Sequence, residues 1–423
     1  MKVLIISAEV WQDKTNGGNV LTNMFRNMDW ELAQIYCNPG NPENNLCSKY
    51  YQMTDSMVIK NILNHKPIGR AFNYVSDFTK SNSNKVIAEQ PNKSFYEFFH
   101  KHRLSLFYSI KHLLWNISNW KNDSLKAFID DFDPDIIFAP CYGDRFMLRL
   151  TRFIGDYTGK KIISFISDDC YTLKKVSFSP FFWIERFIVR TELRKTFPYY
   201  SLVYTMTELQ KKQCEHDLKG NMKILRKSSS FINSVEKKYV NEPIKIVYAG
   251  GIYLNRWKTL KMLVDSIREI NKDYVRVILD IYTANEITKR IDNALNDGIN
   301  CSIHKAISQT ELEQVYKNSD VALHVESFDL KNRLLVRMSF STKIVDCLSS
   351  GCAVMAICDP KQGGYLYLKN ENAAICASSP KEIKDVLSEM VENKNMILKY
   401  IHSANECCKR NHNVKRIEEM IKN

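Results

Sequence analysis

Residues 244–260 read IKIVYAGGIYLNRWKTL. A continuous apolar run at 244–249 has the look of a buried parallel strand. Gly250-Gly251 makes a tight turn, and 259–270 carries a helical period. This strand–turn–helix order repeats outward in both directions. Downstream it gives strands at 275–282, 299–304, 321–325 and 353–357, and helices at 286–294, 308–318 and 341–350, with a last helical stretch at 381–421. Upstream it gives strands at 2–7, 32–37, 135–139, 161–166 and 201–206, with helices at 20–28, 145–157 and 208–218. Residues 95–129 read as mostly helical, basic and aromatic, while 51–94 resist assignment. Residues 227–242 lack periodicity and read as a linker. Alternating strands and helices imply doubly wound parallel sheets. The expected fold class is α/β, with two Rossmann-like domains facing each other across a cleft. Their expected bounds are 1–235 and 236–404, with a last helix at about 405–423 returning to the first.

A chain of 423 residues exceeds what one core normally holds, which agrees with two domains. The net charge of +13 favours anionic partners such as phosphorylated ligands or acidic lipid. No zinc-finger, helix-turn-helix or RNA-binding signature accompanies it, so nucleic acid is not expected as a partner. Twelve cysteines without CxxC spacing, together with a start on a strand, suit free thiols in a reducing cytoplasm. No apolar run approaches the length of a membrane span.

Ligands of open α/β sheets bind beyond the carboxyl ends of strands, so the loops there carry the candidate residues. In 339–357, SFSTKIVDCLSSGCAVMAI, Ser341 or Thr342 can cap a helix that Gly351 ends. Lys343 lies in its first turn, and Arg333 and Arg337 lie just before it. Cations there oppose the helix dipole by roughly 0.3–1 kcal/mol each, and a bound anion would reverse that sign. A solvated basic loop or a Lys343–Asp346 pair would read the same way. In 244–260, Gly250 and Gly251 permit close backbone approach to a ligand, and Arg256 and Lys258 follow within reach of a diphosphate. An ordinary turn with surface charges is the alternative. Gly17 and Gly18 sit between the first strand and a helix, without the third glycine of a dinucleotide fingerprint. Asp168 and Asp169 end a strand and could orient a hydroxyl, act as a base, or cap the next helix. Alternation along a strand keeps both from facing one site. Asp131-Phe132-Asp133 matches a metal-binding DxD pattern but precedes a strand, at the wrong end of the sheet. Cys214, His216 and Asp217 read as a surface helix.

Taken together, IVYAGGIYLNRWKTL and SDVALHVESFDLKNRLLVRMSFSTKIVDCLSSGCAVMAI resemble the donor-binding half of GT-B glycosyltransferases. They are similar to the family-4-like retaining enzymes of bacterial capsule and exopolysaccharide assembly. The first half is similar too, in its NGG loop, its HLLWNISNWKNDSLKAFIDDFDPDIIFAP stretch and YTMTELQ. The resemblance implies transfer of a sugar from a nucleotide-diphospho-sugar, with no metal or other cofactor. It places Gly17 and Gly18 facing the donor diphosphate and Arg256 and Lys258 holding it. Ser341, Thr342 and Lys343 would bind it at the helix start, Asp346 would contact the ribose, and Glu326 the sugar hydroxyls. Asp168 and Asp169 stand where the family often has an acceptor-side histidine. The usual glutamate pair eight positions apart is missing, because the position eight before Asp346 is Met338.

Two basic, aromatic, amphipathic segments at 100–121 and 176–195 raise peripheral contact with an anionic membrane, which would suit a glycan or lipid-linked acceptor. A core-facing helix with a solvated outer side is the alternative. The expected location is cytoplasmic, on the inner face of the cell membrane. The rival functions are a GT-B nucleotide-sugar epimerase, disfavoured by the lack of a carboxylate–histidine set, and a non-catalytic nucleotide-binding scaffold of a polysaccharide assembly complex. The transferase reading expects Lys343→Ala and Arg256→Ala to abolish donor binding while leaving thermal stability nearly unchanged.

Overall fold

The computed structural model describes residues 1–74, 105–229 and 237–422. The chain forms two compact units. The first comprises Met1–Leu173, Ser177–Thr205 and Lys211–Leu225; the second comprises Lys174–Val176, Met206–Gln210 and Arg226–Asn423.

The first unit is built on β1 (Lys2–Ser7), β2 (Glu31–Tyr36), β3 (Lys49–Gln52), β4 (Arg70–Asn73), β5 (Ile136–Pro140), β6 (Lys161–Ile166), β7 (Tyr200–Thr205) and β8 (Met222–Ile224). They lie in the order β4-β3-β2-β1-β5-β6-β7-β8, all parallel except β4. The second unit holds β9 (Ile244–Ala249), β10 (Val277–Thr283), β11 (Cys301–Lys305), β12 (Val321–Val325), β13 (Ala353–Ile357) and β14 (Ile375–Ala377), parallel throughout in the order β11-β10-β9-β12-β13-β14. Both are Rossmann-like doubly wound sheets, as the alternating pattern requires. Near-continuous apolar strands such as VALHV and AVMAI are buried at every position, because helices cover both faces.

The strand order reverses at β9, which pairs with β10 on one side and β12 on the other. That is the switch point at which open α/β sheets leave a crevice beyond their carboxyl ends. In the second unit the loops after β9 and β12 are therefore the ones placed to meet a ligand. In the first unit the reversal falls between β1 and β5.

Helix boundaries depart from the periodic reading where capping decides them. The first helix runs Asn16–Phe25, because the Thr15 side chain accepts from Gly18 N and starts it early. Gly17 and Gly18 thus lie in a first helical turn and not in a loop. A Cβ on Gly18 would come 1.9 Å from the Gln12 carbonyl oxygen, so the glycine lets the helix pack on that backbone. The helix expected over 341–350 is only Lys343–Leu348. Thr342 is already in helical conformation and makes no side-chain cap, so neither it nor Ser341 caps as expected. Ser349, in right-handed conformation, is its C-cap, and Gly351, at φ 80°, lies two residues beyond it, not directly at the helix end as expected. The stretch 381–421 divides into helices Glu382–Glu392, Lys394–Asn411 and Val414–Lys422. Residues 75–104, which include 75–94 of the unassigned stretch and 95–104 of the stretch read as helical, lie outside the described residues.

Candidate functional site

Beyond β9 the chain turns at Gly250, whose N–H donates to the Tyr282 carbonyl at 2.8 Å. The Asn285 side chain fixes the loop by accepting from Ile252 N at 2.7 Å. Leu254 and Asn255 take left-handed conformations, and helix Arg256–Ile270 follows. This sets Arg256, the first helical residue, against the residue that follows β12. Arg256 Nε and Nη2 donate to Glu326 Oε2 and Oε1 at 2.9 and 2.8 Å. Both side chains are buried. The Tyr253 ring, 4.9 Å away, covers the guanidinium. Burial works against the Arg256 charge, but the paired bonds and the negative charge of Glu326 outweigh it and raise its pKa.

Lys343 reaches the same place from the start of its helix. Its Nζ lies over Gly250, where a Cβ would come within 1.9 Å of it, and 5.6 Å from the Tyr248 ring centroid. Burial, and then the charge of Arg256, push its pKa from 10.5 down to about 8, with Glu326 opposing. Among the described residues Lys343 makes no ion pair. His324, buried on β12, is held neutral, its pKa pushed down to about 3 by burial and by the charges of Arg256 and Lys343. Asp346, one helical turn after Lys343, accepts from Lys227 Nζ at 3.0 Å. Gly250, Arg256, Glu326, Lys343 and His324 thus form one cluster beyond β9 and β12, with Asp346 next along the helix. Its chemistry is cationic at a helix start, with half-buried hydrogen-bond donors, which suits a phosphate group.

The structure revises the sequence reading at several positions. Arg256 and Glu326 bind each other, so neither is a bare group waiting for substrate. The space above the glycine pair is filled, over Gly250 by Lys343 and over Gly251 by the Tyr253 ring. Lys258 is exposed, with its amine 5.9 Å from the Trp257 ring, and does not join the cluster. Ser341 and Thr342 precede the helix and are half-buried. Asp169 is buried as a structural group. It accepts from Thr172 N at 2.9 Å and from the Thr172 hydroxyl, and pairs with Arg186 at 2.9 Å. Its neighbour Asp168, also beyond the last residue of β6, is exposed. Asp133 caps helix Asp123–Phe132 at the amino end of the sheet. Among the described residues no cluster of His, Cys, Asp and Glu has the makings of a metal site. His324 escapes sequence reasoning, since a histidine in an apolar strand carries no functional signal by itself.

Residues 256–422 match the family model described as glycosyl transferase-like. This part of the chain is similar to glycosyl transferase-like domains. It contains Arg256, Glu326, Lys343 and Asp346. No curated protein matches the chain in sequence. Solved structures match along its whole length. Sucrose-phosphate synthase from Thermosynechococcus elongatus aligns with a TM-score of 0.62 at 13% identity, covering 100% of this chain and 97% of that one. An E. coli structure described as trehalose-6-phosphate bound with UDP-2-fluoro glucose gives 0.62 at 9% identity, covering 100% and 98%. Anabaena HepE in complex with UDP and glucose gives 0.56 at 13%, covering 100% and 98%. At these identities the likeness shows the fold, which is that of the GT-B glycosyltransferases.

Proposed function

We propose that the protein transfers a sugar from a nucleoside-diphosphate sugar to a glycan acceptor. The observation that carries this is the Lys343 ammonium, half-buried at a helix start beside Arg256 with no ion pair among the described residues, inside the glycosyl transferase-like domain. Lys343 holds the donor diphosphate and stabilises charge on the departing nucleotide, which removes the need for a metal. The Arg256–Glu326 pair stiffens the loop after β9 and supplies the guanidinium to the same phosphates. Asp346 exchanges its Lys227 contact for the ribose hydroxyls. Structures of this fold solved with UDP and UDP-sugars make UDP the first nucleotide to test. Retention of configuration is part of the proposal and rests on the family resemblance alone.

The acceptor in this proposal is lipid-linked and belongs to polysaccharide assembly. Support comes from an outward apolar surface in the first unit. Helix Pro180–Thr196 exposes Phe181, Ile184 and Phe187 on one stripe, followed by Arg194 and Lys195. Helix Ser105–Ile117 exposes Ile110, Leu113 and Ile117, and the two helices meet where His112 Nε2 lies 3.8 Å from Glu185. Apolar rows facing water on two neighbouring helices mark an interaction surface, and the flanking cations favour anionic lipid. No described helix is long and apolar enough to cross a membrane.

Release of free UDP from UDP-sugars, in the presence and absence of acceptor extracts, tests the transferase. Acceptor-dependent release that Lys343→Ala abolishes is expected, and binding without turnover across acceptors would sink it. Co-sedimentation with phosphatidylglycerol vesicles tests the surface: Phe181→Ser/Phe187→Ser should lose the binding, whereas wild-type protein that stays in the supernatant at low salt refutes it.

A further inference from the structure

Arg337 carries a guanidinium whose Nε and Nη2 are buried and have no hydrogen-bond partner among the described residues. Beside it, Gln362 is 3% exposed, and neither its Oε1 nor its Nε2 has a partner there. The two residues adjoin through the backbone, since Gly363 N–H donates to the Arg337 carbonyl at 2.8 Å. Gln362 is also the residue before helix Gly363–Asn370 and makes no side-chain cap to it. A charge buried for structural reasons is normally paired, as Arg256 is with Glu326, and the half-exposed Arg333 lies 2.8 Å from Asp359. Asp359, the acid nearest Gln362 in sequence, is therefore already engaged. The surroundings join the candidate site: a Cβ on Gly364 would lie 2.8 Å from Ile344 and 3.8 Å from His324 Nε2.

A guanidinium fork, an uncapped helix start and an unsatisfied amide together complement a planar or tetrahedral acid with an adjacent hydroxyl. We infer that Arg337, Gln362 and the start of helix Gly363–Asn370 hold an acidic substituent, a carboxylate or a phosphate, on a sugar handled beside the Lys343–Arg256 cluster. The inference rests on the proposed transferase reading and deepens it: one of the protein's two sugars is acidic. Gln362 Nε2 donates to the acid, and Oε1 accepts from a neighbouring hydroxyl.

Calorimetric titration of the full chain tests this with UDP, UDP-glucose and UDP-glucuronate, and thermal shift with glucose and glucose 6-phosphate. A donor-borne acid gives UDP-glucuronate at least tenfold tighter binding than UDP-glucose. An acceptor-borne one gives a melting shift with glucose 6-phosphate and none with glucose. In either case Arg337→Met and Gln362→Glu remove the preference while UDP affinity stays within twofold. Arg337→Met also melts no lower than wild type, because it deletes an unpaired charge. Absence of both preferences in wild type, their survival in Arg337→Met, or a clearly lower melting temperature of that variant overturns the inference. If UDP does not bind but an acidic sugar still shifts wild type and not Arg337→Met, the nucleotide-sugar reading fails and the acid site stands.

Discussion

Arg256→Ala should destabilise the second unit strongly. The variant leaves the Glu326 carboxylate buried with both of its guanidinium bonds removed. Breaking a buried ion pair from one side costs about 3–5 kcal/mol, much of it the penalty for the stranded charge. The second unit has about 200 residues, for which 1 kcal/mol moves the midpoint by roughly 2–4 °C. The expected fall is therefore about 6–20 °C in the transition of that unit, followed by differential scanning calorimetry of the whole chain. This replaces the sequence-based expectation that stability would hardly move. The double variant Arg256→Met/Glu326→Leu removes both charges, keeps the volume, and should recover most of the loss. A single variant that melts within about 2 °C of wild type would refute the reasoning, since it would mean that the pair is solvated or exchanges freely. The outcome also bears on function. Donor binding lost in Arg256→Ala cannot be assigned to a missing phosphate contact until folding is shown to be intact. Glu326→Gln keeps most of the geometry and is the better probe.

Gly250→Ala and Gly18→Ala should both destabilise. At Gly250 the new Cβ falls 1.9 Å from Lys343 Nζ and the backbone, at φ 159°, is one that side chains rarely adopt, so the melting temperature of the second unit should drop and UDP affinity should fall about tenfold or more; unchanged affinity by calorimetry would count against Lys343. At Gly18 the Cβ meets the Gln12 backbone at 1.9 Å, which cannot move aside, so the melting temperature of the first unit should drop; an unchanged melt would mean that the helix start shifts freely. Lys343 also predicts a pH dependence. Its amine titrates at about 8 in the folded protein, against an ordinary value of 10.5, so the unfolded chain binds more protons between those values and stability gains with rising pH there. UDP affinity should fall as pH rises through about 8, with proton uptake on binding seen as a buffer-dependent enthalpy; a flat profile from pH 7 to 9 would exclude Lys343 as the phosphate contact.

The fold is legible because its signal is repetitive. Each buried parallel strand announces itself as an apolar run, and the strand-to-helix order is the same in both units. Positions are legible too: Gly250, Arg256, Glu326, Lys343 and Asp346 all follow strands or start helices at the switch point of one sheet. Pairing is not. Arg256 and Glu326 are separated by 70 positions, and only the adjacency of β9 and β12, a crossover over two intervening strands, brings them together. Asp169 misleads for a related reason. A carboxylate after a strand reads alike whether it faces a cleft or ties down its own turn, and the partner that decides it, Arg186, lies 17 positions on in another helix. The glycines at 17 and 18 read as a loop because a period says nothing of a cap at Thr15.

The distribution of charge in the second unit separates paired residues from the one cation of the cluster without an ion pair among the described residues. Arg256 is satisfied by Glu326, and Asp346 by Lys227. Each pair lowers the cost of burying its members and leaves less to gain from a ligand. Lys343 is different. It is half-buried, lies over a glycine that leaves it room, and faces another cation in Arg256 without an acid of its own among the described residues. Its lowered pKa measures how unwelcome that charge is at this position. An incoming diphosphate removes the penalty as it binds, so the gain in affinity should come from Lys343 more than from the better-bonded Arg256. On the proposed reading, the most strongly hydrogen-bonded cation is then the scaffold, and the poorly satisfied one is the binding group.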